Sequence, residues 1–69
     1  MSQLNLSING EARSFAGVVT FADLVVELGL AGKRIAIERN GDIVPRSLHA
    51  EARLADGDVL EIVVAVGGG

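Results

Sequence analysis

The stretch Val59-Leu60-Glu61-Ile62-Val63-Val64-Ala65-Val66 decides the fold. It is the most apolar run in the chain, and it is rich in β-branched residues, which suit a pleated sheet. Asp56-Gly57-Asp58 precedes it as a turn, and Gly67-Gly68-Gly69 follows. It is strand-sized, far short of the ~20 apolar residues of a membrane span. A strand this apolar on both faces belongs in the middle of a sheet, with a neighbour on each side.

The neighbours are legible from the period of two. Gln3-Leu4-Asn5-Leu6-Ser7-Ile8 alternates polar with apolar, so Leu4, Leu6 and Ile8 share one strand face. Asn9-Gly10 is a strong hairpin signal, because both residues tolerate positive φ, and a return strand runs from Glu11 to about Phe15. A third strand is expected around Ile35 and Ile37, which alternate with Ala36 and Glu38. Asn40-Gly41 then turns into Asp42-Ile43-Val44-Pro45. Pro45 cannot donate to a ladder, so this strand is short and at an edge. Ser47 to Leu54 reads as an irregular connection holding one helical turn.

One helix interrupts the strands. Thr20 with Asp23 makes a capping-box variant, and Phe21, Leu24, Val25 and Leu28 form an i, i+3, i+4, i+7 stripe. Gly29 suits the left-handed stop, with Leu30 as its hydrophobic contact. The predicted helix covers about 20–28. A β-β-α-β-β-β order with a single helix gives an α+β fold, a mixed sheet of about five strands with that helix across one face. Setting 59–66 parallel to the first strand puts the first and last strands together at the centre. That is the β-grasp, ubiquitin-like architecture, expected over 1–66 with 67–69 as a flexible glycine tail.

Composition narrows the function classes. With 69 residues the chain is one domain, which buries only about 60% of the surface its unfolded form exposes. There is no Cys, so no disulfide reinforces it, and a single His leaves no soft-ligand zinc site. The core must be aliphatic. Six Lys and Arg against nine Asp and Glu give a net charge of −3, with the basic residues dispersed. That balance, with Phe15 and Phe21 as the only aromatics, argues against nucleic-acid binding. Met1-Ser2-Gln3-Leu4 lacks the basic and apolar segments of a signal peptide. A cytoplasmic protein without membrane contact is expected.

The tail is the chemical feature. A glycine end is ordinarily read as simple fraying. A second reading starts from its thinness: Gly67 to Gly69 extends about 10 Å at 3.3–3.6 Å per residue, narrow enough to thread a partner's active site and present the Gly69 carboxylate there. That carboxylate is anionic at neutral pH, hence a poor electrophile until it is given a leaving group. No phosphate-binding loop pattern occurs in the chain, so activation must come from another protein.

The stretches Asn9-Gly10-Glu11, Thr20-Phe21-Ala22-Asp23-Leu24, Ile37 through Arg46, and Leu54-Ala55-Asp56-Gly57-Asp58-Val59-Leu60-Glu61-Ile62, with the Gly68-Gly69 end, resemble the ThiS family, the sulfur carriers of thiamin biosynthesis. The resemblance spans essentially the whole chain. It implies that a ThiF-type adenylyltransferase activates Gly69 with ATP and magnesium, none of which this chain binds itself. A cysteine desulfurase relay then supplies sulfur for a thiocarboxylate, and thiazole synthase, ThiG, takes that sulfur. Having no Cys, the chain cannot carry sulfur as a persulfide. The MoaD-like small subunit of molybdopterin synthase is the nearest alternative, although that family tends to be longer, with prolines before its glycines. A ubiquitin-like conjugation or interaction module is another; against it, Lys33 is the only lysine and no Arg precedes the glycines.

Other candidates have simpler readings. Asn40-Gly41 with Arg39 and Arg46 is taken as a hairpin with solvated flanking charges. His49 near Ser47 lacks an orienting acid and an oxyanion site, so no intrinsic catalysis is expected. If Leu60, Ile62, Val64 and Val66 face the helix, then Val59, Val63 and Ala65, beside Ala36, form an uncovered apolar patch. Such a patch suits docking of the activating enzyme and the synthase.

Overall fold

The computed structural model describes residues 3–65. Five strands form one mixed sheet in the order β2-β1-β5-β3-β4. They are β1 (Leu4–Ile8), β2 (Glu11–Phe15), β3 (Ile35–Arg39), β4 (Asp42–Val44) and β5 (Val59–Val64), with the helix α1 (Phe21–Glu27) between β2 and β3. The last strand sits in the centre as expected, parallel to β1 and antiparallel to β3. It ends at Val64 rather than Val66, although the Ala65 N–H still donates to the Arg34 carbonyl at 2.8 Å; Val66 lies outside the described residues.

Both Asn-Gly turns form with positive φ at each residue, 51° and 84° at Asn9-Gly10 and 49° and 91° at Asn40-Gly41. This is the hairpin geometry whose twist matches the flanking strands. At α1, Thr20 accepts from the Asp23 N–H at 3.2 Å and Asp23 accepts from the Thr20 N–H at 3.0 Å, which completes the capping box. The far end closes as a Schellman motif: Gly29 N–H donates to Val26 and Leu30 N–H to Val25, with Gly29 at φ 74°.

Leu6, Ile8, Phe15, Phe21, Leu24, Ile37, Leu60 and Ile62 pack between the helix and the sheet, and Val18 joins them from the connection. Phe21, Leu24, Ile37 and Leu60 are fully buried, each contributing about 1.5–3 kcal/mol of transfer free energy. Val64 departs from the alternation at 38% exposure, lining an open groove with Leu28 and Leu30 beyond the end of α1.

The connection over 47–54, expected to be irregular with one helical turn, shows that turn and more order than local sequence suggests. Pro45 starts a 3₁₀ turn over Arg46–Leu48. The segment then straps the entry to α1, with Leu54 N–H on the Val19 carbonyl, Phe21 N–H on Ala52 and Ala22 N–H on His49. Among the described residues no helix is long and apolar enough to cross a membrane.

Candidate functional site

The proposed reactive end follows directly from β5. Gly67, Gly68 and Gly69 lie outside the described residues, so the site is read from what holds the strand that leads to them. At its start, β5 is anchored by the turn before it. Asp58 is buried and accepts from the Ala55 N–H at 2.8 Å, from Arg39 Nε at 3.1 Å and from Asn40 Nδ2 at 3.3 Å. Arg39 Nη2 also sits 3.1 Å from the same carboxylate and donates to the Arg53 carbonyl at 2.8 Å. Its guanidinium lies over the Phe21 ring, 5.4 Å from the centroid.

This corrects the expectation of solvated charges beside Asn40-Gly41. Arg46 is exposed, but Arg39 is tied into the start of β5, across a sequence gap that no local pattern reveals. Burial pushes the Asp58 carboxyl up, but the donors from Ala55, Arg39 and Asn40 outweigh it and hold the group below the usual carboxylate range. Asp56, on the same turn, accepts from the backbone and side-chain nitrogens of Asn5 at 2.7 and 3.1 Å. The turn is a clamp as well as a turn.

The two hairpin asparagines also bond β5 with their side chains. Asn40 Oδ1 accepts from the Val59 N–H at 3.0 Å, while Asn9 Oδ1 accepts from the Ile62 N–H at 2.8 Å and Asn9 Nδ2 donates to the Ile62 carbonyl at 3.1 Å. These ladder-like bonds were not foreseen, because an Asn-Gly signal announces only a turn.

The helix-free face of the sheet carries the expected patch. Val59 and Val63 are 52% and 64% exposed, and Ala65 and Ala36 are exposed beside them. Ala36 pairs directly with Val63. Glu38 pairs with Glu61 on the same face, with Ile43 next to Glu38 on β4. Around Val59, Val63, Ala65 and Ala36 the face is apolar and interrupted by the acidic pair, while Asn5, Ser7 and Ser14 make its β1–β2 side polar.

His49 is a packing residue. Its ring stacks on Phe21 at 6.1 Å between centroids, and Nε2 lies 3.1 Å from the Val44 carbonyl, while Ser47 is exposed. A groove of about 340 Å³ is lined by Leu4, Phe15, Val18, Val19 and Asp56, at the end of the sheet where β5 begins. It is remote from the end of β5.

A mixed sheet with its first and last strands parallel at the centre, and one helix across one face, defines a β-grasp protein of the ubiquitin-like class. Comparison with known proteins narrows this class. The ThiS family model matches residues 6–69, and the chain belongs to that family. The sulfur carrier protein ThiS of Bacillus subtilis is 42% identical over 50 residues, 72% of this chain and 76% of that protein. The crystal structure of a thiamine biosynthesis protein (ThiS) from Geobacter metallireducens superposes with a TM-score of 0.79. It is 28% identical, and the match covers 96% of this chain and all of that one. A thiazole synthase of Paramagnetospirillum magneticum is 47% identical over 66 residues, which are 96% of this chain and 20% of that protein. The chain thus spans about a fifth of the length of the thiazole synthases it matches.

Proposed function

We propose that this chain is a sulfur carrier of thiamin biosynthesis, working through the carboxylate of Gly69. A ThiF-type enzyme joins that carboxylate to the AMP portion of ATP and releases pyrophosphate, with magnesium held by the enzyme. A cysteine desulfurase relay or its equivalent provides a persulfide, whose outer sulfur displaces AMP to form an acyl disulfide; a thiol reductant then cleaves the S–S bond, releasing the thiocarboxylate and leaving a disulfide on the relay. Thiazole synthase then receives the sulfur.

The observation that carries this reading is that the family match runs through to residue 69, so it includes the glycine end. The thiazole synthase relatives support the last step. Each contains a segment similar to this chain as about a fifth of its length, as expected for a carrier and a synthase that act on one another. The chemistry supports the first step: an anionic carboxylate accepts a sulfur nucleophile only after its oxygen becomes part of a leaving group. Gly67 and Gly68 serve as the thin lead that threads the partner's site, and Val59, Val63 and Ala65 as the surface that docks beside it.

The test is ATP–pyrophosphate exchange with a ThiF-type enzyme. The intact chain should support exchange, and a chain whose Gly69 carboxylate is capped as an amide should not, while keeping the circular dichroism of the folded domain. Equal exchange from both chains would overturn the assignment of Gly69.

A further inference from the structure

The ladder around β5 is unequal on its two sides. On the β3 side it runs from Asn40 N–H on the Val59 carbonyl to Ala65 N–H on the Arg34 carbonyl. On the β1 side, strand pairing covers only Ser7 with Val59 and Ile8 with Leu60. There the hairpin turns β1 away, and the Asn9 N–H makes the last main-chain bond, to the Leu60 carbonyl at 3.0 Å. The next residue facing that side is Ile62, and both of its main-chain groups are met by one side-chain amide, that of Asn9. Val64 follows on that side, with no bonded partner among the described residues.

We propose that Asn9 is a positioning residue for the reactive end: by bonding both main-chain groups of Ile62 it keeps β5 held on two sides for two residues beyond the end of β1. Without that side chain, β5 is held on one side only from Ile62 onward instead of from Val64 onward. This inference rests on the carrier reading, in which the residues after Ala65 must enter another protein at a fixed offset from the sheet. A longer one-sided segment samples more directions, so a smaller fraction of molecules is poised to dock. The apparent affinity falls by that fraction, and the chemistry after docking is unchanged. Asn9 suits the task because Asn tolerates the φ of 51° that the turn imposes, and its amide offers a donor and an acceptor side by side.

The test uses Asn9→Gly, which keeps the turn geometry and the main-chain bond to Leu60. In the isolated chain, amide exchange at Ile62 and Ala65, referenced to Ile37, should quicken about three- to tenfold, the size of one net hydrogen bond. With a ThiF-type enzyme and ATP, KM for the carrier should rise by about the same factor at unchanged kcat. Asn9→Asp, which keeps the acceptor for the Ile62 N–H, should fall between Asn9→Gly and the unaltered chain. Asp56→Ala, which cuts the tie to Asn5 at the other end of β1, should lower the melting temperature and leave KM alone. Unchanged exchange at Ile62, an unchanged KM in Asn9→Gly, or an equal KM rise in Asp56→Ala would each overturn the proposal. If the unaltered chain is not adenylated at all, the carrier reading falls and the activation role with it, while the exchange data judge the Asn9–Ile62 bonds independently.

Discussion

Asp58 shows how much one side chain contributes in so small a domain. Its carboxylate joins the turn before β5 to β3 through Ala55, Arg39 and Asn40. Replacing it by Ala leaves an inward-facing N–H without its acceptor and frees a partly exposed guanidinium. We expect Asp58→Ala to cost about 2–3 kcal/mol in urea unfolding, the range for bonds to charged groups, with the Arg39 contribution limited by solvent. Asp58 also makes stability depend on pH. Its folded pKa is depressed by donors that outweigh burial, and Asp23 is depressed through the Thr20 and Val19 N–H groups. Such carboxylates stabilise the fold fully above their unfolded pKa of about 3.9 and lose that contribution as pH falls through the lower folded value. The urea midpoint should hold steady from pH 7 to about 5 and then drop towards pH 3. Asp58→Ala should start lower and drop less steeply; equal slopes would show that Asp58 does not carry the dependence.

At the scale of elements, α1 has only seven residues, too short to be stable by propensity, so its caps and its packing decide whether it forms. Thr20→Ala removes the acceptor for the Asp23 N–H and should cost about 1 kcal/mol, whereas Val26→Ala, on the solvent side, should stay within about 0.5 kcal/mol. Comparable losses in thermal unfolding would contradict the assigned faces. These features were legible because they are local: Thr20 with Asp23, the Phe21-Leu24-Val25-Leu28 stripe, and Gly29 each announce themselves within a few residues. Arg39, Asn9 and Asn40 did not, since their partners on or beside β5 lie 18 to 53 residues away. Residues 47–54 signal only one helical turn in their local sequence for a related reason. Their order comes from bonds to the segment before α1, and no internal period signals it.

At the scale of the whole molecule, the run 59–66 revealed the sheet order, because a strand apolar on both faces must be central. It also foretold the exposed patch, since one helix leaves the other face open. Val63→Lys tests that face. Lys is placed opposite Ala36 and near the Glu38–Glu61 pair, so the unfolding free energy should shift by less than about 1 kcal/mol. The KM for adenylation should nonetheless rise about tenfold, as expected when a charge enters an apolar contact; unchanged kinetics would remove the patch from the docking surface. What periodicity does not supply is the chemistry of the end, which rests on the residues Gly67-Gly68-Gly69 and on the ThiS family match. The most direct measurement is therefore the intact mass of the chain after incubation with a ThiF-type enzyme, ATP and a sulfur source. A mass gain equal to the exchange of one oxygen for sulfur, localised to Gly69, is the predicted result. An unchanged mass, with the enzyme shown to be active on another carrier, would contradict the account.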